Sequence, residues 1–214
     1  MAWFSKVVEA GKDFWDRVSD SPARQRKGAC SPVGAAKQEK KGGVFGRSLE
    51  ETLRNEGSGS KVPWIIEQSC KRIEVEGIEE EGIFRISGNR DDIKKLQEGI
   101  DQFSIKGLPE DAEIHDVAGL LKLYVRELPE PLLTFGCYRA FVDSALLEED
   151  KMPARLAELV AELPEANVAT LRVLLSLLHK VGESSDANRM DTKNLATIFA
   201  PNLLHAREET MEQL

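Results

Sequence analysis

Apolar positions along this chain recur every three to four residues, and alternation of the strand type is weak throughout. Trp3, Phe4, Val7, Val8, Phe14, Trp15 and Val18 predict a first helix, with Lys6, Glu9, Lys12, Asp13, Asp16 and Arg17 mostly on its other face. Ser48 with Glu51 fits a capping box and predicts a short helix to about Asn55. Gly57-Ser58-Gly59-Ser60 is a break, and Pro63 is placed as the first residue of the next helix, with Ile65, Ile66, Ser69, Cys70 and Ile73 following. Asp91 and Asp92 favour a helix start through the dipole, and Ile93, Leu96 and Ile100 give that helix an inner face. Ile114, Val117, Leu120, Leu121 and Val125 predict a further helix that stops at Leu128-Pro129. Two more are predicted near Tyr138 to Leu147 and from Lys151 to Leu163. Leu171, Leu174, Leu175, Leu178 and Val181 form a long stripe ended by Gly182. That stripe is core and not a zipper, because it does not persist for several heptads. Asp191 or Thr192 can cap a last helix with Leu195, Ile198 and Phe199 inward. With no internal repeat, the predicted fold class is all-α.

Composition agrees. The chain has 214 residues, of which 41% are hydrophobic and 31% charged, which suits one domain of amphipathic helices plus an extension. No stretch of eighteen apolar residues is present, so no spanning helix is expected. Cys30, Cys70 and Cys137 are scattered without metal-ligand spacing, which predicts free thiols in a reducing compartment and a cytoplasmic protein, with peripheral membrane contact left open. His115, His179 and His205 are isolated, so no metal site is expected. There is no Gly-x-x-x-x-Gly-Lys-Ser/Thr run, and the chain should bind no nucleotide of its own.

The chemistry concentrates in Glu80-Glu81-Gly82-Ile83-Phe84-Arg85-Ile86-Ser87-Gly88. Gly77, Gly82 and Gly88 predict a loop with tight turns, because glycine tolerates positive φ. Ile83, Phe84 and Ile86 can pin that loop to a core, and Arg85 is its only cation. Guanidinium is always charged and donates two parallel hydrogen bonds to phosphate oxygens. The plainer reading is a surface arginine paired with Glu79, Glu80 or Glu81. Lys122 and Arg126, four apart on one helix face, repel slightly, so stability explains them poorly. Asn194 falls in the first turn of the last helix, where an amide can orient a neighbouring loop, cap, or stay in water.

Together these segments resemble the Rho GTPase-activating (RhoGAP) domain family. The resemblance runs in order through Phe45-Gly46 with Ser48-Leu49-Glu50-Glu51, Glu81 to Gly88, Leu120-Leu121-Lys122 with Arg126 to Leu132, Asn188 with Met190, and Asn194-Leu195-Ala196 with Pro201 to Leu204. It covers roughly residues 45 to 214. It implies that Arg85 is an arginine finger, supplied in trans to a Rho-, Rac- or Cdc42-type small GTPase to accelerate GTP hydrolysis. GTP and magnesium are then carried by the partner, and this chain is an activator and not itself a hydrolase. Lys122 and Arg126 match residues that steady the loop and contact the GTPase. Asn194 matches the amide on the binding face, and Pro201 falls near the same groove. The alternative is a non-catalytic module that binds the GTP-loaded GTPase.

The expected organisation is an amphipathic helix at 1–20, a flexible basic linker at 21–43 and a RhoGAP-like domain at 44–214. Residues 1–43 carry nine Lys/Arg against five Asp/Glu, leaving twenty against thirty-two for the rest. A tryptophan-bearing helix beside a basic linker suits an anionic membrane surface. The other reading is a helix packed back on the domain or on a partner, and the mixed charge of its polar face weakens the lipid reading. Nucleic acid is not expected as a partner, since the globular part is acidic and the basic tract lacks a reading motif. Related domains continue beyond the Pro-Asn-Leu-Leu turn through further helix, so the sequence predicts a domain cut short within a helix over Arg207 to Leu214.

Overall fold

The computed structural model describes residues 2–25, 43–103 and 107–207. Most of the 21–43 linker, Cys30 and residues 208–214 of the predicted last helix lie outside the described residues. The described elements are helices, and no strand occurs among them.

The chain opens with α1 (Ala2–Asp20), followed by a short 3-10 turn at Pro22–Gln25. Then come α2 (Leu49–Glu56), α3 (Trp64–Glu76), α4 (Arg90–Phe103) and α5 (Ile114–Glu127). The second half holds α6 (Tyr138–Ser144), α7 (Met152–Ala161), α8 (Glu165–Glu183), the single turn α9 (Ser185–Asn188) and α10 (Thr192–Leu203). The centre is a layer in which α3 packs on α5 and α8, with α10 against both α5 and α8. Ile65, Ile66, Ile73, Leu120, Leu121, Leu174, Leu178 and Phe199 are buried there. Removing that much apolar surface from water is the main force that holds short helices together, since none would persist alone.

Local signals explain most boundaries. Ser48 caps α2 by accepting from the Glu51 amide at 3.3 Å, and Asp191 caps α10 by accepting from the Asn194 amide at 2.7 Å. Three details differ from the sequence reading. Pro63 has ψ 137°, so it is the residue before the first turn of α3 and not within it. Gly182 lies inside α8, which runs on to Glu183, because the buried face continues through Val181 into the α9 turn. Helix α6 ends at Ser144, leaving Leu146 and Leu147 outside it.

Helix α1 packs on α7, α8 and α10. Trp3, Phe4, Val7, Val8, Phe14, Trp15 and Val18 are all buried against that face. Arg172 of α8 stacks over the Trp15 ring at 5.5 Å, and Trp3 meets Phe141 of α6 at 5.6 Å. The helix kinks at Gly11, whose φ is 47°. A Cβ there would meet the His179 ring at 2.6 Å, and that ring's Nδ1 lies 2.8 Å from the Val8 carbonyl oxygen. Docked in this way, α1 has no apolar stripe left to offer a lipid surface.

Cys70 is a buried free thiol, and burial raises its pKa to about 12, so it is unreactive at neutral pH. Cys137 is disulfide-bonded, which corrects the expectation of three free thiols. The spacing of cysteines far apart in the chain does not say which of them the fold brings together.

Candidate functional site

The loop between α3 and α4 is anchored from three sides. Ile83 and Phe84 point inward and are buried, and Phe84 stacks edge-on against Phe199 of α10 at 4.9 Å. The Arg85 and Ile86 amides both donate to the Gly82 carbonyl at 2.8 Å, which folds the chain into a tight turn. Two residues of that turn have positive φ, Gly82 at 71° and Phe84 at 68°. For a bulky aromatic this region costs on the order of 1–3 kcal/mol and persists only where surroundings impose it. The Phe199 contact and the Phe84 carbonyl's partner supply that constraint.

That partner is Lys122 of α5, whose Nζ donates to the Phe84 carbonyl oxygen at 2.5 Å. Burial, and then the nearby Arg126 charge, lower the pKa of Lys122. A cation held in an unfavourable place, with a carbonyl as its recipient, is a support and not a surface charge. Arg126 itself is exposed one turn further along α5.

The outcome for Arg85 is exposure. Its side chain faces solvent, and among the described residues no ion pair engages it. Glu80, one of the expected partners, lies 3.3 Å from His115 Nε2. The guanidinium rests over its own loop, where a Cβ placed on Gly82 would stand 3.4 Å from Nη2.

Of the three glycines in this region only Gly82 has positive φ; Gly88 is required for closeness instead. A Cβ on Gly88 would stand 2.3 Å from Asp116 Oδ1 and 2.7 Å from the His115 carbonyl. Asp116 is buried and accepts from the Asn89 amide at 2.6 Å, which joins the end of the loop to α5. Gly88→Ala is therefore expected to destabilise the domain by about 1–3 kcal/mol through forced displacement of the loop. A thermal melt would check this, and an unchanged midpoint would count against so tight a contact.

Asn194 is exposed on α10, and its amide nitrogen reaches the Arg189 carbonyl at 3.4 Å. Pro201 is exposed in the last turn of the same helix. The structure thus links Arg85's loop to Lys122 directly and to α10 through Phe84, while Asn194 and Pro201 stand apart on α10. Sequence reading gave no role to Asp116 or Asn188, both buried polar groups. Asn188 entered only as part of the family resemblance, together with Met190, and Asp116 carried no signal beyond that of a polar residue before Val117 in an amphipathic helix.

No group of His, Cys, Asp or Glu suited to a metal occurs among the described residues, and no helix there is long and apolar enough to cross a membrane. The described residues thus form an all-helical domain with an anchored loop that presents one exposed guanidinium. Comparison with known proteins gives the particular family. The chain matches the RhoGAP domain over residues 63–208 and belongs to that family. It is 38% identical over 173 residues to human Rho GTPase-activating protein 24, covering 78% of this chain and 23% of that protein. It is 42% identical over 172 residues to the Xenopus laevis active breakpoint cluster region-related protein, covering 79% of this chain and 20% of the relative. The chain thus spans about a quarter or less of the length of these curated relatives. Among solved structures it resembles human Rho GTPase activating protein 15, with TM-score 0.72 and 34% identity over 79% of this chain and 81% of that one. It also resembles the BH domain of GRAF, the GTPase regulator associated with focal adhesion kinase, with TM-score 0.60 and 32% identity over 70% and 81% of the two chains.

Proposed function

We propose that this chain is a GTPase-activating protein for Rho-family small GTPases and that Arg85 is its arginine finger. The observation that carries the reading is the contrast within three consecutive residues: Ile83 and Phe84 are buried and fixed, and Arg85 is exposed and unpaired. The GTPase would bring GTP and magnesium and orient the attacking water. Arg85 would add positive charge where negative charge grows on the transferring and leaving oxygens. To do so its side chain has only to swing off Gly82, a rotamer change of a solvent-exposed group, while the backbone stays held. Pre-fixing the backbone lowers the ordering cost at the moment of reaction.

In this scheme Lys122 acts through the Phe84 carbonyl, one peptide from the finger. Arg126, Asn194 and Pro201 supply exposed surface around it for GTPase contact. Recruitment to a membrane through residues 1–20 would first require α1 to leave α7, α8 and α10.

Single-turnover GTP hydrolysis by purified Rho-, Rac- and Cdc42-type GTPases, with and without this chain, tests the proposal. Strong acceleration with at least one of them is the expected result. Binding to the GTP-loaded form with no acceleration would favour the non-catalytic module instead. Lys122→Met keeps the stem and removes the donor, so it should lower acceleration at saturating chain by roughly ten- to a hundredfold, as for a finger displaced by about 1 Å. An unchanged maximal rate would show that Phe199 packing alone holds the loop.

A further inference from the structure

Asn188 is fully buried in the turn between α8 and α10, and every polar atom it places inward has a partner. Its Nδ2 donates to the Ile78 carbonyl at 2.7 Å and to the Val181 carbonyl at 2.8 Å. Its Oδ1 accepts from the Met190 amide at 2.8 Å. Its backbone carbonyl accepts from the Gly82 amide, also at 2.8 Å. Four segments therefore meet on this one residue: the start of the Arg85 loop, the residue that opens its tight turn, the end of α8 and the strand of chain leading into α10. A side-chain amide supplies two donors and an acceptor at once, which no apolar residue and no carboxylate can do.

We infer that Asn188 is a positioning residue for Arg85. It fixes the loop's first half, Ile78 and Gly82, as Lys122 fixes its second half at Phe84. It also joins the loop to the Arg189 turn, whose carbonyl receives Asn194, so that finger and binding face share one support. Buried networks that are fully satisfied rigidify what they join, and the loss of one member leaves the others unpaired. The inference rests on the arginine-finger reading for its functional half; its structural half is tested separately.

The test uses the full chain as Asn188→Ala and, as a milder change, Asn188→Ser, in two measurements. The first is amide hydrogen exchange, which reads local opening without any GTPase. Exchange over residues 78–86 is expected to rise about tenfold or more while the α5 amides stay protected. Unchanged protection over residues 78–86 would overturn the inference. So would a uniform loss of protection in both variants, since Asn188 would then hold the whole domain and not the loop. The second is single-turnover GTP hydrolysis at saturating chain, with Arg85→Ala and the Arg85→Ala, Asn188→Ala double variant in parallel. A positioning role predicts a fall in maximal rate of roughly tenfold or more, larger than any accompanying loss of GTPase affinity, and no further fall in maximal rate in the double variant. Equal, additive losses in both backgrounds would mean that Asn188 acts independently of Arg85. If the unaltered chain accelerates no GTPase, the finger reading fails, and the exchange measurement still decides whether Asn188 holds the loop.

Discussion

Arg85→Ala is expected to reduce acceleration of GTP hydrolysis by about a thousand- to a hundred-thousandfold, while the variant still binds the GTP-loaded GTPase. In the free chain Arg85 is exposed and unpaired, so its removal breaks nothing that holds the domain together. The thermal midpoint should therefore hardly move, since exposed side chains away from packing contribute little. The loss should fall on the transition state, where a preorganised cation in a water-excluded groove counts for far more than in water. Arg85→Lys should recover little, because an ammonium lacks the planar pair of parallel donors. The measurement is single-turnover hydrolysis over a range of chain concentrations, which separates maximal rate from affinity. A rate preserved in Arg85→Ala would remove the arginine-finger mechanism, and a lost affinity with an unchanged maximal rate would make Arg85 a docking residue only.

The second large effect concerns stability. Removing α1, by starting the chain at residue 44, should lower the melting midpoint by more than 10 °C or abolish the cooperative melt. Seven large apolar side chains of α1 are buried against α7, α8 and α10, and their loss would expose the facing surface to water as well. A single change gives a graded check. Phe14 is buried completely enough that Phe14→Ala should cost about 3–5 kcal/mol, or about 6–20 °C for a domain of this size. Circular dichroism melts of the full chain, Phe14→Ala and the 44–214 chain would show the series. Equal midpoints would mean that α1 leaves this face readily in solution, and the membrane reading of its apolar stripe would regain ground. Because α1 also packs on α10, which carries Asn194 and Pro201, its removal should weaken GTPase binding along with stability. The bond from Thr192 to Glu9 at 2.9 Å sits where the two helices meet.

These two predictions separate cleanly because they rest on opposite kinds of residue. Arg85 does nothing for the folded chain alone, and the α1 residues do little except hold it. Lys122, Asp116 and Asn188 lie between the two kinds. Each is polar, at least partly buried and bonded to the backbone of the Arg85 loop or its end, so variants there should move both stability and rate.

Sequence by itself determined the helical class, most helix boundaries and the place of the glycine-bracketed loop that holds Arg85. Those features are local: a 3.6-residue period, a Ser48 or Asp191 cap and a glycine-bracketed Ile-Phe-Arg all act within a few residues of one another. It could not decide how α1 is used, because an apolar stripe of that length suits a lipid surface as well as a protein face, and the mixed charge of its polar face only weakens the first. Only the tertiary structure provided the face, on α7, α8 and α10. Nor could it tell that Phe84 takes positive φ, that Gly88 is needed for closeness and not for its φ, or that Asn188 joins four segments. Those are agreements between residues up to 110 positions apart, as in the bond from Asn188 to Ile78. A single sequence lists the residues that can form such a bond and leaves to the packing of the helices which of them meet.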